Sequence, residues 1–316
     1  MATLTLLGFS VLLPGVLIAA TPAETLLFDP VDEARNRTVP VKIYLPAESE
    51  ASPLVLFSHG LGGSREGNPY LGNHWAAHGY VVVFLQHAGS DRGVWESVKM
   101  AERINALKEA ANVRSAIARY EDVPFVIDQL EAWNTEEGHA LEGRLDLERI
   151  GMSGHSFGAH TTQAVMGQKF PVDRSFQEPR LQAFLAFSPS TSKQMSPEES
   201  FGEVEAPVLL MTGTKDGSPL EPEMNPETRT RVYGGLSPGN KFQLVLEDAE
   251  HFAFSEGGDG FRDRKRIDHH HPAILKISTL FWNAYLKGEE SARSLLQSEK
   301  LREKVGLVEA DVWEWK

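Results

Sequence analysis

Seven short apolar runs punctuate this chain, several of them apolar at consecutive positions rather than at every second one. "VPVKIYLP" (39–46), "PLVLFSHG" (53–60), "YVVVFLQH" (80–87), "RIGMSG" (149–154), "LQAFLAFS" (181–188), "PVLLMTG" (207–213) and "KFQLVLED" (241–248) read as strands. A strand that is apolar on both faces is buried on both faces, the condition of a parallel sheet covered by helices. The first run alternates more and suits an antiparallel edge. Helix-periodic stretches fill the gaps: "NPYLGNHWAAHG", closing on Gly79, then "VWESVKMAERINALKEAANV", "RYEDVPFVIDQLEAW", "SFGAHTTQAVMGQ" and the strongly amphipathic "HPAILKISTLFWNAYLKG". This alternation predicts an α/β fold with a mostly parallel, doubly wound sheet. Residues 24–316 read as one domain with a helical insertion at about 91–134, and 289–316 as charged and mostly helical.

Composition narrows the function classes. The chain of 316 residues carries 31 Lys and Arg against 44 Asp and Glu, a net charge of −13. Such a surface repels phosphate backbones and argues against a nucleic-acid partner. With no cysteine, there are no disulfides, thiolate metal sites, cysteine nucleophile or lipidated N-terminal cysteine. The uncharged apolar run from Leu4 to Ala20, followed by "TPAE", is expected to be an export signal within residues 1–23. Cleavage near Ala20 or Ala23 would yield a secreted or periplasmic protein without stable membrane insertion. No feature signals an oligomeric state.

Gly154-His155-Ser156-Phe157-Gly158 fits G-x-S-x-G between a strand and a helix. A nucleophilic serine needs a sharp turn that lifts its Oγ clear of the sheet, and larger neighbours would collide there. The serine needs a base, and the base an orienting acid, each beyond a later strand. "PVLLMTGTKDGSPL" offers Asp216 and "LVLEDAEHFAFS" offers His251. Asp248, Glu247 and Glu250 are rival carboxylates near His251, read as a solvated acidic loop. An oxyanion hole requires backbone N–H groups. The glycine-rich "FSHGLGGS" (57–64) is expected to contribute Leu61, and the turn itself Phe157. His155, Trp95 and Leu220 are candidate substrate contacts, with Val94, Met100 and Met224 as further apolar groups. "DHHHP" (268–272) resembles a metal cluster, but adjacent histidines on regular backbone cannot converge on one ion, so no metal site is expected and the run reads as a polar helix entry lining the cleft.

On these residues the chain resembles the α/β-hydrolase superfamily over about residues 38–288. "SHGLGGS" and "GHSFG" are similar to the platelet-activating-factor acetylhydrolase group and to bacterial dienelactone-hydrolase-like proteins. "GTKDGSP" resembles the cutinase and polyester-hydrolase arrangement. The resemblance implies an eight-stranded, mostly parallel α/β-hydrolase sheet and cofactor-free carboxylic ester hydrolysis. Dienelactone hydrolases use cysteine where this chain has Ser156. The acetylhydrolases carry their acid where this chain has Ser188. A serine esterase acting through an acyl-enzyme on short to medium acyl esters is therefore expected, its substrate small or polymeric. A lipase-like or polyester hydrolase with the same residues, and a catalytically dead binding module, stay open.

Overall fold

Consecutive apolar residues are buried as the pattern requires: every residue of Ser52–Ser58 and of Val81–Leu85 is buried. The computed structural model describes residues 22–172, 174–218, 220, 221, 223–256 and 267–316. The expected export signal falls outside the described residues as far as residue 21. The strands are β1 (Glu24–Phe28), β2 (Val31–Asp32), β3 (Arg37–Thr38), β4 (Val41–Leu45), β5 (Ser52–Ser58), β6 (Val81–Leu85), β7 (Leu145–His155), β8 (Leu181–Phe187), β9 (Val208–Lys215), β10 (Lys241–Glu250) and β11 (Val312–Trp315). β2 and β3 form a ribbon of their own. The others make one sheet in the order β1-β4-β6-β5-β7-β8-β9-β10-β11. Pairing is parallel from β6 through β10 and antiparallel at both edges.

The sheet has nine strands where the resemblance implies eight. One of the extra edges is β11, inside the stretch read as charged and mostly helical. Its alternation is only four residues long, and Trp313 stacks on Phe242 of β10 at 5.7 Å. Such a strand exists because its neighbour supplies the buried face.

Helices cover both faces. α1 (Pro69–Ala77), α8 (His270–Tyr285), α9 (Glu290–Leu296) and α10 (Lys300–Val305) pack on one half of the core, around Trp75, Phe242 and Trp282. α4 (Val113–Thr135), α5 (Phe157–Val165), α6 (Pro197–Phe201) and α7 (Pro226–Gly235) pack on the other, around Val123, Ile127, Phe201 and Val232. The insertion begins with α2 (Gly93–Glu96) and α3 (Arg103–Ala110), not one continuous helix. Lys99 is extended (φ −58°, ψ 142°), which breaks the helical ladder. The Arg103 guanidinium then lies 4.8 Å over the Trp95 ring, folding α3 back on α2. Among the described residues no helix is long and apolar enough to cross a membrane.

Register places the site. Ser58 at the end of β5 pairs with Gly154 near the end of β7, so the glycine-rich loop and the G-x-S-x-G turn emerge side by side. Lys215 of β9 pairs with Glu250 of β10, so the next residues, Asp216 and His251, leave the sheet together. All four exits lie at the carboxyl end of the parallel strands, where open α/β sheets bind ligands.

Candidate active site

Ser156 stands at the junction of β7 and α5 with φ 56° and ψ −112°, a conformation serine rarely adopts. Its N–H donates to Phe187 O at 3.0 Å, which anchors the turn to β8. The flanking glycines are required by contact. A Cβ on Gly158 would sit 1.8 Å from Ser58 O, and one on Gly154 would sit 2.3 Å from Gly158 O.

His251 Nε2 lies 2.9 Å from Ser156 Oγ, and His251 Nδ1 lies 2.7 Å from Asp216 Oδ1. Asp216 is inaccessible, and its Oδ2 accepts from the Thr212 hydroxyl at 2.8 Å. Burial alone would raise the Asp216 carboxyl. The His251 hydrogen bond and the nearby Arg229 charge outweigh it and bring the pKa down to about 2. Asp216 is thus a carboxylate at neutral pH, so the Nδ1 proton belongs to His251 and Nε2 faces the serine as an acceptor. Asp248 instead pairs with Lys215 at 2.7 Å, 48% exposed, and makes no bond to the imidazole. Ser188, at the end of β8, is buried and offers its carbonyl to Arg229 at 2.8 Å.

A second Ser–His–Asp chain lies below the first. Ser58 Oγ is 2.8 Å from His87 Nε2, and His87 Nδ1 is 2.9 Å from Asp122 Oδ2. All three residues are wholly inaccessible. Asp122 also receives Arg37 and Arg35, and Ser58 Oγ receives Arg119 Nη2 at 3.0 Å. Burial, reinforced by the Arg119 charge, holds His87 down to about 4. The hydroxyl is engaged on both sides and has no route to solvent. Only the Ser156 chain opens on a cleft.

That cleft has a volume of about 1190 Å³. Leu61, Phe157, Trp95, His155, Leu220 and Met224 line it, whereas Val94 and Met100 do not, Met100 being 80% exposed. The chain turns Met100 outward in the break between α2 and α3, and Ile104, Leu107 and Val113 take the wall instead. Trp95 is tied by Nε1–H to Gly62 O at 2.7 Å. A Cβ on Gly60 would lie 3.5 Å from the Ser156 Cβ, which sets the glycine-rich loop directly against the serine. Phe157 opens α5, so its N–H has no intrahelical acceptor. His155 is a brace as well as a wall. Its Nε2–H donates to His251 O at 3.0 Å, and burial, with His251 beside it, lowers its pKa to about 3.

The three adjacent histidines make separate bonds around the segment that carries His251. His269 meets Asp311 at 3.2 Å, His270 donates to Glu247 O at 2.8 Å, and His271 donates to Ala253 O at 3.1 Å. Among the described residues no group of His, Asp and Glu is arranged to hold a metal ion. Two buried arginines went unnoticed in the sequence, although each interrupts an apolar helical stripe. Arg119 precedes Val123, Val126 and Ile127 on α4, and Arg229 precedes Val232 on α7. Arg229 Nε lies 3.4 Å from Asp216 Oδ1, and its Nη1 also reaches Pro189 O at 3.2 Å.

Residues 34–123 match the family described as platelet-activating factor acetylhydrolase, isoform II. The matched span holds the glycine-rich loop and the buried Arg119 region and ends before Ser156. Cutinase est2 of Thermobifida alba is 22% identical over 213 residues, 67% of this chain and 56% of the cutinase. The match thus spans little more than half of that relative. A ferulic acid esterase from Streptomyces cinnamoneus superposes with a TM-score of 0.60 at 21% identity, covering 88% of this chain and 93% of that one. At that identity the likeness is one of fold.

Proposed function

From the α/β-hydrolase fold of this chain, we propose that it is a serine carboxylic ester hydrolase working through an acyl-enzyme. The unbroken path from Ser156 Oγ through His251 to Asp216, at 2.9 and 2.7 Å, carries this reading. His251 Nε2 takes the Ser156 proton as Oγ attacks the ester carbonyl, and Asp216 balances the imidazolium that forms. The oxyanion is received by the N–H groups of Leu61 and Phe157. The imidazolium then protonates the leaving alcohol, and water, activated by the same nitrogen, releases the acid. The similarity to a named cutinase and the fold of a named ferulic acid esterase support the reaction class.

Trp95, Leu107, Phe157, Leu220 and Met224 support an apolar subsite for short to medium acyl groups. Each methylene that fits contributes up to about 0.8 kcal/mol to transition-state binding, and one that does not fit contributes nothing. p-Nitrophenyl acetate to hexanoate should exceed palmitate by about tenfold or more in kcat/KM. A polyester reading has one observation behind it: the cleft continues onto Ile104 and Val113, which are 58% and 75% exposed. Preference for palmitate, or for a polyester film over soluble esters, would replace the short-chain reading. A fluorophosphonate probe tests the reaction class itself. It should label Ser156 and not Ser58, and a chain that takes no label is a binding module. Export is supported by the apolar run Leu4–Ala20. The mass of the mature protein from the native host checks it, and an intact N-terminus would refute it.

A further inference from the structure

Arg119 lies beside the site, and ester hydrolysis, as described, does not use it. It sits on the apolar stripe of α4 and is wholly inaccessible. Burying a guanidinium is costly unless it is hydrogen-bonded, and here each of its three nitrogens has a partner. Nε donates to Thr161 Oγ1 at 3.1 Å, Nη1 to Ser90 Oγ at 2.9 Å, and Nη2 to Ser58 Oγ at 3.0 Å and to His59 O. The guanidinium carbon also lies 4.6 Å over the ring of Phe157.

These partners come from three separate pieces of chain. Ser58 and His59 lead into the glycine-rich loop that carries Leu61. Ser90 belongs to the loop after β6 and accepts the Gly62 N–H through its carbonyl at 2.8 Å. Thr161 and Phe157 belong to α5. The two N–H groups assigned to the oxyanion therefore stand on different pieces of chain, and one guanidinium ties those pieces together.

The buried Ser–His–Asp chain completes the device. Ser58 Oγ accepts from Arg119 and so turns its own proton to His87 Nε2, and His87 Nδ1–H donates to Asp122. Among the described residues Arg119 meets no carboxylate directly. The relay links its guanidinium to Asp122, and Asp122 and Asp91 both act on its charge through space.

We infer that Arg119 is a positioning residue that sets the spacing of the Leu61 and Phe157 donors, with Ser58, His87 and Asp122 as its counterweight. The inference rests on the acyl-enzyme reading above. Arg119→Lys keeps the charge but cannot reach all the acceptors, and Arg119→Met loses both. Thr161→Val and Ser90→Ala each remove a single partner.

The readouts are kcat and KM for p-nitrophenyl butyrate, and the affinity of a trifluoromethyl ketone whose adduct with Ser156 places an oxyanion in the hole. Loss of one oxyanion donor costs about 100- to 1000-fold in kcat. A misplaced hole in Arg119→Lys should therefore cost about 10- to 100-fold in kcat, with KM within about threefold and ketone affinity falling in step. Arg119→Met should lose more, and the single-partner variants about 2- to 10-fold. A merely structural role would lower the melting temperature while leaving the ketone affinity of the folded protein unchanged. Wild-type ketone affinity in folded Arg119→Lys overturns the inference. If the Arg119 variants do not fold, wild-type kcat and ketone affinity in both single-partner variants overturn it instead. Wild-type protein that takes no phosphonate label overturns the acyl-enzyme reading, and the inference with it.

Discussion

Replacing Asp216 by Asn tests which carboxylate serves the histidine. In the native site Asp216 Oδ1 accepts the Nδ1 proton at 2.7 Å in a wholly buried setting. The substitution keeps size and shape but removes the charge that balances the imidazolium formed when Ser156 gives up its proton. Two unit charges about 4 Å apart at an effective dielectric of about 20 interact by about 4 kcal/mol. That alone is about three powers of ten in rate. An amide nitrogen turned toward Nδ1 would also place the imidazole proton on Nε2, where it blocks the serine, and this defect can bring the loss to about four powers of ten. Asp248→Asn disrupts only an exposed, solvent-screened pair with Lys215 and should leave kcat within about threefold. The assay is kcat for p-nitrophenyl butyrate, with circular dichroism to show that both variants fold. Equal effects of the two substitutions, or more than a tenth of native activity in Asp216→Asn, would refute the assignment.

Ser156→Ala should fold normally and lose about a thousandfold or more in turnover, since Oγ stands at the cleft rather than in the core; a tenth of native activity would sink it. Gly158→Ala drives a Cβ to 1.8 Å from Ser58 O, so α5 and the glycine-rich loop must part. That should cost about 1 to 3 kcal/mol in urea unfolding and at least about tenfold in kcat, and native values in both would refute the close approach. Acid should destabilise the fold early. Burial lowers His155 to about 3 and His87 to about 4, whereas an unfolded histidine titrates near about 6.5. The unfolded chain therefore binds more protons between those values. Stability is complete above about pH 6.5 and falls as pH drops, by about 2 kcal/mol per histidine at pH 5. An unchanged urea midpoint between pH 7 and pH 5 would contradict it. His270→Ala frees Glu247 O beside the His251 segment and should lower kcat with little change in KM; a rise in KM alone would argue against bracing.

By itself, the sequence determined the alternation of the main strands and helices and the strand ends from which Ser156, Asp216 and His251 project. Apolar runs such as Val81–Leu85 cannot be placed anywhere but inside a sheet covered on both faces. G-x-S-x-G is legible because its five residues are adjacent, although what excludes a Cβ at Gly158 is Ser58 O on a neighbouring strand. Asp216 and His251 were legible because each follows directly on an apolar strand. Only tertiary structure could decide between Asp216 and Asp248, since that depends on the Lys215–Glu250 register, which turns one carboxylate inward and the other to solvent. Ser58, His87 and Asp122 have no local signature at all; distant segments bring them together, and their burial separates them from the chain that meets the cleft. β11 and the fracture of the insertion were equally out of reach, because a four-residue strand and a break at Lys99 are stabilised by their neighbours rather than by their own pattern. Short-range chemistry can be read along a chain, whereas which of two plausible groups is buried, paired or exposed is settled by contacts between residues far apart in it.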